Sequence, residues 1–314
     1  MNLTILGAGG TGALIGAYAK KGGLPVSFVD PYAAHMEAIS RNGLKMTING
    51  KTEVVQIDKA TTKAAEVGVS DAVIVLCKGQ NNRETIKANM ELFGPETLVI
   101  TFQNGVGNVD VLEEFFPRDN IGFGVVRVAA MLKDPGEIIN GIVHEPPVID
   151  IHFGSAFHST KHAEKYKILE EAFVKGGLGC EYTENTEKEI WIKMFSNVLF
   201  NMPCGICRIP MGPMISHPKG DELLKHLGRE VVDVANAKGL DLDFDSLWAF
   251  FDIFRKSKHY PSAAQDVMKK RSTEADLLNG AVVREGRKYG IPTPYNDAVY
   301  LMSKVIEDTY DIQF

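Results

Sequence analysis

Short apolar runs alternate with segments of helical period along the N-terminal part of the chain. The runs "LTIL", "PVSFVD", "DAVIVLC" and "TLVITF" are rich in β-branched residues and leucine, and glycine or polar residues follow them. Runs of this kind predict strands, and the small-residue segment "TGALIGAYAKK" after the first run predicts a helix. The pattern therefore predicts an α/β domain built on an open sheet.

The pattern changes to closely spaced strands over residues 121–153 and then to helices. Turn signals at "DPG" (134–136) and "NG" (140–141) predict an antiparallel extension of the sheet. After one amphipathic helix, almost every later segment has helical period. We therefore predict two domains, an α/β domain over residues 1–182 and an all-helical domain over residues 183–314.

One helix of the second domain carries a polar stripe. The segment "IWIKMFSNVLFNMP" (190–203) is apolar almost all the way round, which is typical of a buried helix. Lys193, Asn197 and Asn201 follow at intervals of four and so lie within an arc of about 80°. A buried polar group without partners costs several kcal/mol. The stripe therefore needs water, another element or a ligand-holding cavity, and this helix alone does not decide between them.

Charge and hydropathy exclude several classes of partner. The 314 residues carry a formal charge of −6 and no run of Lys or Arg, so neither nucleic acid nor an anionic membrane is an expected partner. No apolar run approaches the roughly 20 residues of a membrane span. The start "MNLTILGAGG" enters a strand directly, without a charged leader segment. We expect a cytoplasmic protein.

The four cysteines do not form a recognisable site. Cys204 and Cys207 make a C-x-x-C pair, but further zinc ligands are not close in sequence, and a redox pair would open a helix after a strand. We predict two buried thiols and no metal.

The first predicted strand runs into a glycine turn. Gly7, Gly9 and Gly12 match G-x-G-x-x-G directly after a strand and at the start of a helix, the context in which the motif binds a dinucleotide. Gly10 and Thr11 lie in the first helical turn, whose free amides and dipole attract phosphates. We therefore predict that the first domain is a Rossmann-type dinucleotide-binding domain.

Asp30 ends the second predicted strand. In such a site this carboxylate accepts hydrogen bonds from the adenosine ribose and repels the extra phosphate of NADP. The following residues, "PYAAH", offer no Arg or Lys to offset it. We therefore predict NAD, and the alternative is a solvated Asp that starts a turn before Pro31.

Polar residues also end the next two predicted strands, where open α/β sheets bind ligands. Lys78 follows "DAVIVLC", and Asn104 follows "TLVITFQ". Lys78 is predicted on the cofactor or a substrate carboxylate, with a surface lysine as the alternative. Asn104 is predicted near the nicotinamide, with a turn-forming Asn before glycine as the alternative.

A carboxylate on a second predicted helix is a candidate partner for the polar stripe. In "STEADLLNGAVVREGRKYG" the apolar face runs through Leu278 and Val282, and Glu274 is predicted one turn earlier on that face. Glu274 is a natural partner for Lys193. Because a buried ion pair adds little stability, we favour a shared cavity over a structural pair.

At this point the sequence resembles the ketopantoate reductase (2-dehydropantoate 2-reductase) family. The matching motifs are "GAGGTG", "CKGQ", "FQNG", "KMFSNVLFN", "PSAAQDVMKKRSTEADLLNG" and "GIPTP". They run in this order from Gly7 to Pro294, so the resemblance covers nearly the whole chain.

The resemblance implies a Rossmann domain followed by a helical domain, an arrangement like that of 6-phosphogluconate dehydrogenase, and a homodimer. It implies that Lys193 is the general acid and that Glu274 positions it. The residues implied to bind substrate oxygens are Asn197, Asn201 and Ser262. Asn104 and Lys78 would lie on the cofactor side, with Asn104 also reaching the substrate.

Two departures from the family pattern point to a particular member. The family usually has a basic residue where this chain has Asp30, and bulky residues where it has Ala263 and Ala264. An NAD-linked member with a roomier pocket resembles a D-2-hydroxyacid dehydrogenase of the D-mandelate type, acting on branched or aromatic 2-keto acids. The alternatives are reduction of 2-dehydropantoate in pantothenate synthesis and a non-catalytic dinucleotide sensor, which would not need Lys193 and Glu274.

Overall fold

A computed structural model of the chain describes residues 1–144 and 148–313. The chain divides into two compact units. The first comprises Met1–Gln103 and Asn108–Thr186, and the second comprises Asn104–Gly107 and the chain from Glu187 onward.

The first unit contains the strands. In chain order they are β1 (Leu3–Leu6), β2 (Val26–Val29), β3 (Leu44–Ile48), β4 (Lys51–Val55), β5 (Lys59–Thr61), β6 (Ala72–Val75), β7 (Leu98–Thr101), β8 (Ile121–Val126), β9 (Ala129–Asp134), β10 (Glu137–Ile142), β11 (Ile151–Ser155) and β12 (Cys180–Tyr182).

Helices lie in both units. Those of the first are α1 (Gly10–Lys21), α2 (Ala33–Asn42), α3 (Asn82–Lys87), α4 (Asn108–Glu113) and α5 (Ala163–Gly176), and those of the second are α6 (Thr186–Cys207, from the last residue of the first unit), α7 (Met211–Ser216), α8 (Pro218–Ala237), α9 (Phe244–Ala249), α10 (Ser262–Met268), α11 (Asn279–Tyr289) and α12 (Pro294–Asp308).

The larger sheet of the first unit has the order β12-β11-β8-β7-β6-β1-β2-β5. From β5 to β8 its neighbours are parallel, and β11 joins β8 antiparallel. Every residue of β1, β6 and β7 is buried, as expected for strands that helices cover on both faces. This sheet confirms the predicted Rossmann-type domain.

A second sheet, of order β4-β3-β10-β9, corrects the predicted extension. Of the strands predicted over residues 121–153, β8 and β11 extend the larger sheet, whereas β9 pairs with β10 and β10 pairs with β3. The "DPG" turn between β9 and β10 is confirmed. The predicted turn at "NG" (140–141) is wrong, because Gly141 lies within β10 at a shift in strand register.

The second unit is helical, as predicted, and α6 runs through its core. Trp191, Phe195, Val198, Leu199 and Phe200 of this helix are at most 1% exposed. Residues of every later helix of this unit, α7 to α12, belong to the same apolar cluster. In the described part of the chain, no helix combines the length and the apolar character needed to cross a membrane.

Candidate active site

The turn between β1 and α1 has the geometry that the glycine motif predicts. Gly7 has φ +98°, and a Cβ on it would overlap the backbone of Cys77 after β6. A Cβ on Gly12 would overlap the Gly7 carbonyl oxygen, so this helix can pack closely on the turn only with glycine there. Any side chain at either position would therefore overlap a neighbouring backbone segment, so both positions require glycine.

Gly9 and Gly10 differ in their surroundings. A Cβ on Gly9 would meet nothing within 4 Å, whereas a Cβ on Gly10 would overlap the carbonyl oxygen of Ala130 in β9. Gly9 is thus the position with open space beside it, next to the first amides of α1 at Gly10 and Thr11. Space beside a helix N-terminus suits an approaching phosphate group.

Asp30 directly follows β2 and is half-buried. Its Oδ1 accepts a hydrogen bond from the Tyr32 amide at 2.9 Å, so the carboxylate does start a turn across Pro31. Its Oδ2 takes part in no hydrogen bond among the described residues. The turn therefore orients the carboxylate and still leaves an acceptor oxygen available to a ligand.

Side-chain amides of residues that follow β6 and β7 form a hydrogen-bond network. Lys78 itself is exposed and precedes a 3₁₀ turn. The buried Asn82 donates to Gln103 Oε1 at 3.1 Å and to Asn108 Oδ1 at 3.0 Å, and Gln103 donates back to Asn82 Oδ1 at 2.6 Å. Sequence analysis missed Asn82 and Asn108, because only the pairing of β6 with β7 brings their segments together.

In the second unit, α6 carries the predicted polar stripe on an otherwise buried helix. Lys193 and Asn197 are half-buried and Asn201 is 2% exposed. Asn201 Oδ1 accepts hydrogen bonds from the Ser262 hydroxyl and the Ala263 amide, each at 3.3 Å. The stripe therefore has an internal partner at its buried end, where Asn201 holds the first turn of α10.

Glu274 lies outside a helix, which corrects the prediction that it shares the apolar face of α11. That helix begins only at Asn279, because Leu278 has φ −108° and ψ −101°, which is not helical. Glu274 precedes a 3₁₀ turn, and its carbonyl accepts from the amides of Leu277 and Leu278. It is half-buried.

The segment Asn104–Gly107 packs against this turn within the second unit. Asn104 Nδ2 donates to Glu274 Oε2 at 3.1 Å, and the Val106 amide donates to the Leu277 carbonyl at 3.0 Å. Asn104 is therefore more than a turn-forming residue. The residues predicted to bind substrate, together with Lys193 and Glu274, all belong to the second unit.

Two further expectations change. Ala263 and Ala264 are at most 2% exposed, and the Ala264 backbone lies against Gly205 of α6. The argument for a roomier pocket therefore draws no support from them.

Of the cysteine pair only Cys204 is buried, and burial raises the pKa of its thiol to about 12. Cys207 is exposed at the end of α6, so the prediction of two buried thiols is wrong.

The described residues contain no group of three or more His, Cys, Asp or Glu side chains placed to hold a metal ion. The predicted site residues of the second unit offer an ammonium group, amides, a hydroxyl and a carboxylate. Such a set can bind an oxyanion and move a proton.

Comparison with known proteins relates both units to one family. Residues 3–146 match the family model described as "Ketopantoate reductase PanE/ApbA", and residues 185–307 match the model of its C-terminal part. The 2-dehydropantoate 2-reductase of Lactococcus lactis subsp. lactis (strain IL1403) is 28% identical over 306 residues, with 95% of each chain covered. That of Streptococcus pyogenes serotype M1 is 30% identical over 301 residues, with 94% of each covered.

A solved structure adds a relative with bound ligands. The ternary structure of D-mandelate dehydrogenase with NADH and anilino(oxo)acetate is 27% identical, with a TM-score of 0.86, and covers 99% of this chain and 100% of its own. The two matched models together cover most of the present sequence. The chain therefore belongs to the ketopantoate reductase family.

Proposed function

We propose that this protein is an NAD(H)-dependent oxidoreductase that interconverts 2-keto acids and D-2-hydroxy acids. The acids would be branched or aromatic, as in benzoylformate and D-mandelate. The observation that carries the proposal is Asp30, oriented by its turn directly after β2. A carboxylate there favours the unphosphorylated ribose of NAD. The related D-mandelate dehydrogenase was solved with NADH.

The first unit has a cradle that fits a nicotinamide dinucleotide. Gly9 offers open space beside the amides of α1, and Gly7 allows the tight turn that leads to them. Asp30 Oδ2 would accept from a ribose hydroxyl, and Lys78 would contribute a positive charge nearby. Members of this family are NAD(P)-dependent oxidoreductases. The dinucleotide, when bound, supplies or accepts the hydride.

The second unit would supply the proton and hold the acid. Reducing a ketone leaves negative charge on the carbonyl oxygen, and Lys193 Nζ is proposed to donate a proton to that atom. In the reverse direction the neutral amine would accept the hydroxyl proton. Asn197, Asn201 and Ser262 are proposed to bind substrate oxygens.

Glu274 is proposed to orient Lys193 and is itself held by another side chain. Asn104 donates to Glu274 Oε2 at 3.1 Å, so one carboxylate oxygen has a fixed direction. A fixed carboxylate next to a catalytic ammonium group limits the positions of the proton that moves. Asn104 would in this way help to position the acid–base pair.

A second candidate is the reduction of 2-dehydropantoate to pantoate. The names of the curated relatives from Lactococcus lactis and Streptococcus pyogenes favour it. It would use the same proton transfer by Lys193 on a substrate with a different side chain. Asp30 is the feature that separates the two candidates, since it predicts NADH.

We also propose that the protein is a homodimer, as the family resemblance implies. The helix α12 exposes Leu301, Met302 and Val305 on its surface. Sedimentation equilibrium measures this directly, and a monomer at the concentration of the activity assay would contradict it.

The decisive experiment follows the absorbance of the reduced cofactor with benzoylformate, 2-ketoisovalerate, pyruvate and 2-dehydropantoate, each with NADH and with NADPH. Faster turnover of the branched and aromatic acids with NADH supports the proposal. Turnover confined to 2-dehydropantoate and NADPH establishes the second candidate instead. Dinucleotide binding without turnover of any 2-keto acid would indicate a sensor.

A further inference from the structure

His35 lies in α2, behind the glycine turn, and its ring touches two backbone groups that are far apart in sequence. The side chain is fully buried, with 0% exposure. Its Nε2 lies 3.0 Å from the Ala8 carbonyl oxygen, and its Nδ1 lies 2.8 Å from the Gly136 amide nitrogen. Both ring nitrogens are therefore engaged by the main chain.

These two contacts determine where the ring proton lies. The Gly136 N–H can only donate, so Nδ1 must carry a lone pair. The Ala8 carbonyl can only accept, so Nε2 must carry the hydrogen and donate it. Burial lowers the pKa of His35, against weaker opposing effects of the Ala8 contact and of Asp30. The ring is thus neutral near pH 7, in the Nε2–H form.

The hydrogen bond to Ala8 also determines the direction of the next amide. In a planar trans peptide the carbonyl and the following N–H point in opposite directions. Holding the Ala8 carbonyl toward His35 therefore points the Gly9 N–H away from it. Gly9 is the turn residue beside which a Cβ would meet nothing. If this peptide turned over, a carbonyl oxygen would take the direction in which the Gly9 amide hydrogen points.

The second sheet contacts His35 at the second ring nitrogen, Nδ1, through Gly136. Gly136 lies in the turn between β9 and β10 at φ +77°, and its carbonyl accepts from the Lys45 amide of β3 at 2.9 Å. The Ala130 carbonyl of β9 lies against Gly10 at the start of α1. The β9–β10 hairpin thus contacts the glycine turn directly at Gly10 and indirectly through the imidazole ring.

We infer that His35 is a positioning residue that holds the Ala8–Gly9 peptide so that the Gly9 amide faces the pyrophosphate of the dinucleotide. The inference rests on the proposed function in so far as the ligand is a dinucleotide. His35 acts through the main chain and touches neither the cofactor nor the reacting atoms. It gives the second sheet a role in cofactor binding.

Two substitutions of similar size separate the two contacts of the ring. In His35→Gln the side-chain amide nitrogen can reach the position of Nε2 and donate to Ala8. In His35→Asn the shorter side chain can place an oxygen near Nδ1 for the Gly136 amide and cannot reach Ala8. The dissociation constant of NADH, from the fluorescence of the bound nucleotide, and kcat at saturating NADH are measured for both.

We expect His35→Asn to raise the NADH dissociation constant about 3- to 10-fold, because it loses the bond that orients Gly9. His35→Gln should stay within about twofold of the wild type, and kcat at saturation should be unchanged in both. Equal affinities of the two variants would overturn the inference and leave the proposed function intact. A wild type that binds neither NADH nor NADPH would overturn both.

A measurement on the wild type covers the case in which a variant does not fold. In protein labelled with ¹⁵N-histidine, the two ring nitrogens report the tautomer of each imidazole, and the spectrum of whichever variant folds identifies His35. We expect the Nε2–H form. An Nδ1–H or doubly protonated ring at pH 7 would contradict the donation to Ala8 and with it the inference.

Discussion

Asn104 Nδ2 donates a hydrogen bond to Glu274 Oε2 at 3.1 Å, although the two residues are separated by 170 positions in sequence. The contact lies within the second unit, to which Asn104–Gly107 belongs. It joins the segment after β7 to the turn before α11. Because one oxygen of Glu274 accepts this bond, the direction of the carboxylate depends on Asn104.

The first prediction concerns this contact. Asn104→Ala and Glu274→Gln should each lower kcat/KM about tenfold or more, because each removes a fixed orientation from the acid–base group. In the double variant the losses should not add, and the coupling free energy should exceed about 0.5 kcal/mol. Initial rates of the four proteins form the cycle. Losses that simply add would show that the two residues act independently.

The second prediction tests the general acid. Lys193→Ala should lower kcat about 10²- to 10⁴-fold, because it removes the group proposed to protonate the developing alkoxide. The NADH dissociation constant should be unchanged, since the glycine turn and Asp30, which are proposed to bind the cofactor, belong to the first unit. Lys269→Ala, which changes an exposed lysine of the same unit, is the control. A Lys193→Ala enzyme with wild-type kcat would rule out the proposed role.

The third prediction concerns the choice of cofactor. Asp30→Ala should lower the ratio of kcat/KM with NADH to that with NADPH by about tenfold or more, because it removes both an acceptor for the ribose and a repulsive charge. Glu37→Gln on α2 removes an exposed charge from the next helix and should leave the ratio unchanged. If both variants kept the wild-type ratio, Asp30 would not select the cofactor.

The features that sequence analysis predicted correctly depend on local chemistry. Gly12 is required by a backbone overlap within a single strand–turn–helix segment, and Gly7 has a φ of +98° in the same turn, so a motif can reveal both. The stripe on α6 follows from helical period alone. Asp30 could be placed because it directly follows a recognisable strand.

The features that were missed depend on contacts between distant segments. Asn82 meets Gln103 and Asn108 only because β6 and β7 are neighbours, and His35 meets Gly136 only because the second sheet exists. No periodicity or spacing records such contacts. Glu274 was placed on a helix because its spacing to Leu278 fits one turn, and spacing cannot show that Leu278 breaks the helix.

One missed element did leave a signal. Asn49 and Gly50 have φ of +49° and +77° between β3 and β4, the backbone of a two-residue hairpin turn. An Asn-Gly pair between two strand-like runs is a strong hairpin signal. The Asn49-Gly50 pair thus predicts β3 and β4, which pair with each other in the second sheet.

The fourth prediction concerns stability at low pH. Burial lowers the pKa of both His35 and His162, and for His162 the charges of Lys165 and Lys161 act in the same direction. As pH falls through about 6.5, the unfolded chain binds these protons before the folded one does. The thermal unfolding midpoint should therefore fall on acidification from about pH 7.5, until the pH is below the folded pKa values. His162→Asn should reduce this fall, whereas His158→Asn, at an exposed site, should not. An unfolding midpoint with the same pH dependence in His162→Asn and the wild type would show that His162 does not contribute to acid lability.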